Sequence, residues 1–136
     1  DGKNLLPILL QKKSTLDDRA LFWHFPAYLQ SYQRIDGQRD LLYRSRPCSI
    51  IRHGRWKLHQ YFEDGAIELY DLETDIGESH DLATVNPEKA RELLAELTRW
   101  QKDIKAPIPN QRNPRYDPEA EAKALEQLQR KRAKQQ

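Results

Sequence analysis

The chain contains no methionine, a single cysteine and no long run of apolar residues. A sequence that begins at Asp1 without an initiator methionine predicts that the natural N-terminus lies elsewhere and that the chain is part of a longer protein. Because Cys48 has no second cysteine beside it, an intrachain disulfide and a thiolate zinc site are both excluded. No window approaches the roughly eighteen apolar residues of a membrane span, and no signal-peptide pattern begins the chain. The sequence therefore predicts a soluble piece with no membrane span.

The net charge is also small, since the formal value is only +2 over 136 residues. Such a balance does not by itself imply an acidic partner. The basic C-terminal end contains Arg130, Lys131, Arg132 and Lys134, but nearby glutamates offset it and no aromatic residue is interleaved. Nucleic-acid binding is therefore not expected. A chain of this length predicts one domain with one modest core.

Three consecutive strands are predicted at 48–53, 55–62 and 67–72, joined by tight turns at Gly54 and Gly65. In the second of them Trp56 and Leu58 alternate with Lys57 and His59, which predicts a sheet covered on one face. A further strand at 19–25 is rich in aromatic residues and is predicted to be buried. The covering element is a helix over 87–104, with Asn86 as its cap and an apolar stripe of Ala90, Leu93, Leu94, Leu97, Trp100 and Ile104.

The remaining segments are predicted to carry less structure. Leu5, Leu6 and the residues around Pro7 indicate a short apolar helix or turn docked on the core. Residues 27–46 are interpreted as a loop, and the proline-rich stretch after Pro107 is expected to run extended. Residues 119–136 form a charged helical tail. The predicted division is a domain at 1–118 and a tail at 119–136.

Several short strings, in this order, are the motifs that carry a family resemblance: Leu21-Phe22-Trp23-His24-Phe25-Pro26, the run at 47–58, Glu68-Leu69-Tyr70-Asp71-Leu72 with Asp75 and Glu78, and Asn113-Pro114-Arg115-Tyr116-Asp117. Each string alone is weak, but their order and spacing resemble the C-terminal portion of the arylsulfatase-like, formylglycine-dependent sulfatase family. The resemblance covers nearly the whole chain.

This resemblance implies an α+β fold, with a four-stranded antiparallel sheet packed against a C-terminal helix. The parent would be a sulfuric ester hydrolase whose larger, alkaline-phosphatase-like domain holds calcium and a formylglycine nucleophile. The present chain would complete the fold and form one wall of the substrate pocket, with no catalytic residue and no metal ligand of its own. Its implied partner is the N-terminal catalytic domain, and a periplasmic or extracellular location is implied for the parent. The isolated chain is expected to be inactive.

Cys48 invites comparison with the maturation motif of that family, because Arg52 follows at the matching distance. Ile50 stands where the motif has proline or alanine, and the family's nucleophile precedes the Trp-His-Phe-Pro region instead of following it. We therefore interpret Cys48 as a half-buried strand residue that acts as a small hydrophobe.

His24 is the candidate substrate-binding residue. It ends a strand before Pro26, where its imidazole could reach the pocket of a neighbouring domain. Many similar sulfatases have a second histidine after the proline, but Ala27 stands there. The alternative is a histidine that is hydrogen-bonded at the interdomain seam without touching substrate.

The other histidines and the acidic cluster are interpreted as structural. His53, His59 and His80 are expected to be solvated, with no metal-binding spacing. Asp71, Asp75, Glu78 and Asp81 lack the ligand spacing of an EF-hand and are expected to cap turns. A second hypothesis for the whole chain is an autonomous protein-interaction module with a basic tail. An upstream reading frame that contains a maturation motif and metal-binding aspartates would favour the sulfatase, and a start codon before Asp1 would favour the module.

Overall fold

A computed structural model describes residues 2–15, 17–30, 42–111 and 113–133. The elements, in chain order, are α1 (Leu6–Leu9), β1 (Leu21–Phe25), β2 (Leu29–Gln30), β3 (Tyr43–Ser45), β4 (Cys48–His53), β5 (Trp56–Tyr61), β6 (Ile67–Asp71), α2 (Pro87–Asp103) and α3 (Pro118–Ala133). No helix in these ranges is both long and apolar enough to span a bilayer.

The main sheet is a four-stranded antiparallel sheet in the order β1-β4-β5-β6. Its two tight turns contain Gly54 at φ +58° and Gly65 at φ +71°, a left-handed conformation that is costly for residues with a Cβ. Placing these glycines at the turns therefore sets the register of β4 with β5 and of β5 with β6. The predicted meander and the fourth strand are confirmed.

The core lies between one face of this sheet and α2. Ile51, Leu58 and Leu69 come from three adjacent strands and occupy paired positions, so their side chains point to the same face. They meet the buried residues Ala90, Leu93 and Leu97 of the helix, which recur at helical spacing. This packing confirms the α+β fold with a sheet covered by a helix.

Helix α2 differs in detail from the sequence-based expectation. Asn86 occupies the N-cap position, but its side chain makes no capping hydrogen bond. Ile104 is half exposed, and Trp100 is partly buried and stacked on Phe22 with ring centroids 4.8 Å apart. The buried stripe continues instead through Gln101, so Trp100 lies beside the core and Ile104 lies outside it, although both were predicted on the apolar stripe.

Strand β1 is not the buried strand that its composition predicts. It lies at an edge of the sheet, and Trp23 and Phe25 are 48% and 40% exposed. Only the alternate side chains of β1 face the core, because successive residues of a strand point to opposite faces. The correction concerns burial, since the strand itself is present.

Two other expectations need correction. The predicted loop at 27–46 contains a small antiparallel sheet of β2 and β3, while residues 31–41 lie outside the described part of the chain. Helix α1 has no buried residue, and Leu6 and Leu9 are mostly exposed, so the opening segment is not docked on the core of this chain.

The C-terminal helix α3 begins after Asp117, whose Oδ1 accepts the backbone N–H groups of Glu119 and Ala120 at 2.9 and 3.2 Å. An ion pair between Arg46 and Glu121, 3.5 Å long, links the helix to the segment before β4. The division of the chain at 118 and 119 stays a prediction.

Leu97→Ala should destabilise the chain by about 2–5 kcal/mol, because the leucine is completely buried between α2 and the sheet and its removal leaves a cavity. Leu9→Ala is the matched control, since Leu9 is 74% exposed on α1 and should change stability by less than about 0.5 kcal/mol. Chemical denaturation measures both, and equal losses would contradict this assignment of the core.

Candidate functional site

His24 links three segments at one end of the sheet. Its Nδ1 lies 2.7 Å from Ser49 Oγ, and its Nε2 lies 3.3 Å from the carbonyl oxygen of Pro107. Because a carbonyl oxygen can only accept, Nε2 is the nitrogen that donates to Pro107 in this arrangement, while the Ser49 hydroxyl can either donate to Nδ1 or accept from it. Two hydrogen bonds to groups of this chain therefore fix the orientation of the ring.

The position of His24 follows from the sheet register. His24 is directly paired with Ser49, a completely buried residue of β4, and both side chains point to the face covered by α2. Pro107 lies just beyond α2, and the Phe62 ring stands 5.7 Å from the imidazole. The His24 side chain is partly exposed, but both of its ring nitrogens are occupied by groups of this chain.

A buried amide pair extends the polar end of the core. Gln101 on α2 is 4% exposed, and its Nε2 donates to Oε1 of Gln60 at 2.8 Å. Gln60 is the register partner of Ser49, so His24, Ser49 and the two glutamines form one polar boundary to the apolar core. Gln101 was not among the residues selected from the sequence. Its signal was a polar residue four positions after the buried Leu97, on the same helical face.

An aromatic and charged rim adjoins this end of the sheet. The rings of Tyr28 and Tyr43 lie 4.8 Å apart, and the Arg46 guanidinium lies 5.5 Å from the Tyr43 centroid. Glu63 accepts the Tyr28 hydroxyl at 3.1 Å and also pairs with Arg46. Burial, followed by the negative charge of Glu63, raises the pKa of the Tyr28 hydroxyl, which therefore remains a donor. Such a surface offers aromatic faces and paired charges in place of a free nucleophile.

Cys48 has the environment of a structural residue. It is 5% exposed, and burial raises the pKa of its thiol. A buried thiol with a raised pKa supplies little of the thiolate that nucleophilic chemistry requires. Cys48 is thus more buried than the half-buried strand residue expected.

The sequence predicts a solvated His53, but the structure places its ring near two carboxylates. Its Nδ1 lies 3.0 Å from Glu96 on α2, and its Nε2 lies 3.6 Å from Asp18. The hydrogen bond with Glu96 is the main cause that raises the pKa of His53, and Asp18 and Glu92 add to it electrostatically. When it is protonated, the ring therefore joins the end of β4 to α2.

His59 also departs from the expected solvated state, because it lies in a largely covered part of the sheet face opposite α2. Burial, reinforced by the charge of Lys57, lowers the pKa of His59. Its Nε2 is 2.9 Å from Glu78 but lacks the alignment of a hydrogen bond. The loss of solvation outweighs this contact, because an unaligned carboxylate stabilises the charged ring too little to offset burial.

Asp75 and Asp81 of the acidic cluster cap turns as expected, whereas Glu78 pairs with Lys57 on the sheet instead. Asp75 Oδ2 accepts the backbone N–H groups of Ser79 and His80, both at 2.8 Å, and Asp81 Oδ1 accepts those of Leu69 and Ala83, both at 2.9 Å. The backbone N–H of His80, followed by that of Ser79, lowers the pKa of Asp75. Within the described ranges, no group of three or more histidine, cysteine or acidic side chains could hold a metal ion.

Comparison with known proteins gives one informative relationship. The chain is 36% identical over 93 residues to a protein named Sulfatase from Formosa agariphila. This similarity covers 64% of the chain but only 15% of that protein, so the chain spans a small part of its relative's length. No protein-family model matches the sequence.

The ion pairs of His53 should make stability depend on pH. Since its folded pKa lies above the ordinary value of 6.5, the stabilisation is fully present below that value and is lost as pH rises through the folded pKa. His53→Gln should therefore destabilise the chain more at about pH 5.5 than at about pH 8.5, measured by denaturant unfolding. His80→Gln serves as the control, because the His80 side chain is exposed. A pH-independent difference for His53→Gln would contradict the ion-pair assignment.

Proposed function

We propose that the chain, which is related in sequence to a sulfatase, forms the C-terminal subdomain of an enzyme that hydrolyses sulfate esters. The observation that carries this proposal is the 36% identity over 93 residues. The four-stranded sheet under a single helix supports it, because this is the architecture that the family resemblance implies for that subdomain. In this role the chain completes the fold of the enzyme.

We assign the chemistry to the remainder of the enzyme. Cys48 is a poor precursor for formylglycine, because its thiol is buried and the surrounding motif does not match. The part of the chain that the structure describes also offers no cluster of ligands for calcium. Both groups are therefore proposed for the N-terminal catalytic domain, which is the proposed partner, and no catalytic step is assigned to residues of this chain.

The contribution to the substrate pocket is proposed for the end of the sheet around His24. This end presents a partly exposed imidazole beside Phe62 and the exposed ring of Tyr28. Since Ser49 and Pro107 occupy both nitrogens of His24, we assign it a positioning role. It would hold the segment after α2 against the sheet, and so shape the wall that substrate meets without performing chemistry.

The narrower form of the proposal is an arylsulfatase-like activity, so a chromogenic aryl sulfate is the first substrate to assay. The competing hypothesis, an autonomous interaction module, is not favoured. The reason is sequence similarity: an autonomous module is not expected to resemble an enzyme over most of its length, whereas the similarity to a sulfatase covers 64% of this chain.

In the complete sulfatase polypeptide, His24→Ala should raise KM while kcat stays within about tenfold, because loss of a positioning residue perturbs binding more than chemistry. Steady-state hydrolysis of an aryl sulfate measures both constants. His80→Ala is the matched control, since the His80 side chain is 83% exposed.

Ser49→Ala should shift KM in the same direction, because it removes the partner of His24 Nδ1. A fall in kcat of several orders of magnitude for His24→Ala would instead make His24 a participant in the chemistry. Unchanged kinetics with a lowered melting temperature would leave it a purely structural role.

A further inference from the structure

The sheet face opposite α2 contains an open apolar strip along β1 and β4. Leu21, Trp23 and Phe25 alternate along β1 with the residues that face the helix, and Ile50 is the register partner of Trp23. Trp23 and Phe25 are 48% and 40% exposed, although both are large aromatic side chains. These four residues are called the outer strip below.

The other half of the same face is closed by side chains of this chain. Lys57 donates to Glu78 at 2.6 Å, and the hydroxyl groups of Tyr61 and Tyr70 donate to Glu68 at 3.0 and 3.1 Å. Tyr70 is only 8% exposed. Lys57, Tyr61 and Tyr70 are thus paired with groups of this chain, and the two large exposed aromatic side chains of this face lie on the edge strand β1.

We propose that the outer strip is the surface on which the catalytic part of the sulfatase docks. This inference rests on the proposed function and adds the face through which the two parts meet. Buried aromatic residues surrounded by a polar rim are typical of the energetic centre of a protein interface. Exposed Arg52, the register partner of Leu21, supplies a basic rim at one end, so the docking partner is expected to present an apolar patch bordered by an acidic group.

Two observations favour the catalytic part of the enzyme as the occupant. The sulfatase relative has most of its length outside the matched segment, which provides a large body for this subdomain to contact. In addition, β1 is an edge strand, and an exposed edge with a hydrophobic side is a surface that proteins normally cover. Docking at the outer strip would cover both the aromatic side chains and this edge.

Hydrogen exchange compares this chain alone with the complete sulfatase polypeptide. Backbone amides of β1 should exchange at least about tenfold more slowly in the complete polypeptide, because docking suppresses local opening of the edge strand. Exposed positions of α2, such as Ala95 and Arg99, lie on the opposite side of the molecule and should exchange alike in both samples. Equal exchange of β1 in the two samples would overturn the proposal.

Substitution provides a second, independent measurement. Trp23→Ser with Phe25→Ser should raise the exchange of β1 in the complete polypeptide to the rate of the isolated chain. The control pair is Ile76→Ser with Val85→Ser, which removes two side chains that are 80% and 77% exposed elsewhere. Sedimentation of the isolated chain tests the other occupant. A dimer that Trp23→Ser with Phe25→Ser dissociates, and that Ile76→Ser with Val85→Ser leaves intact, would instead assign the outer strip to a second copy of this chain.

These outcomes are separable from failure of the proposed function. If the unsubstituted complete polypeptide hydrolyses no sulfate ester, the proposed function is overturned. If it hydrolyses sulfate esters while β1 exchanges equally in both samples, only the docking surface is wrong.

Discussion

The contact between α2 and one face of the sheet is the interaction on which the other features depend. Leu58 at the centre of the sheet and Leu97 on the helix are both completely buried in it. Fully burying a side chain of this type is worth roughly 1.5–3 kcal/mol, so the loss of a few such contacts would be enough to unfold a small, marginally stable domain. Among the residues that the structure describes, α2 is the helix that packs on the sheet, so the opposite face of the sheet must be covered by other groups.

The consequences appear where the apolar stripe of the core ends and on the opposite face of the sheet. Where the apolar stripe ends, Gln60 and Gln101 pair with each other, and His24 bonds to Ser49 and to the segment beyond the helix. On the opposite face, Lys57, Tyr61 and Tyr70 of β5 and β6 bond to glutamates of this chain, whereas β1 and β4 present an apolar surface. The chain therefore combines a packed core with one exposed apolar edge, on which we propose that the catalytic part of the enzyme docks.

Local patterns were sufficient for the central elements of the fold. Gly54 and Gly65 marked the turns, and alternation in β5 identified the face of Leu58, because these signals act within a few residues. Strand β1 was harder, since apolar residues occupy both of its faces and alternation could not show that Phe22 faces the helix while Trp23 is exposed. His24 was selected as a candidate from sequence, but its partners could not be, because they lie 25 and 83 residues away. The burial of His59 likewise depends on a distant loop that brings Glu78 over the sheet.

Complementation tests the central claim, that this chain is a structural part of a sulfatase whose chemistry resides elsewhere. The remainder of the sulfatase polypeptide and this chain would be produced separately, and hydrolysis of a chromogenic aryl sulfate measured for each alone and for their mixture. The account predicts no turnover by the chain alone and a saturable gain in activity when it is added to the remainder. Turnover by the isolated chain, or a remainder whose kcat and KM are unaffected by it, would contradict the account.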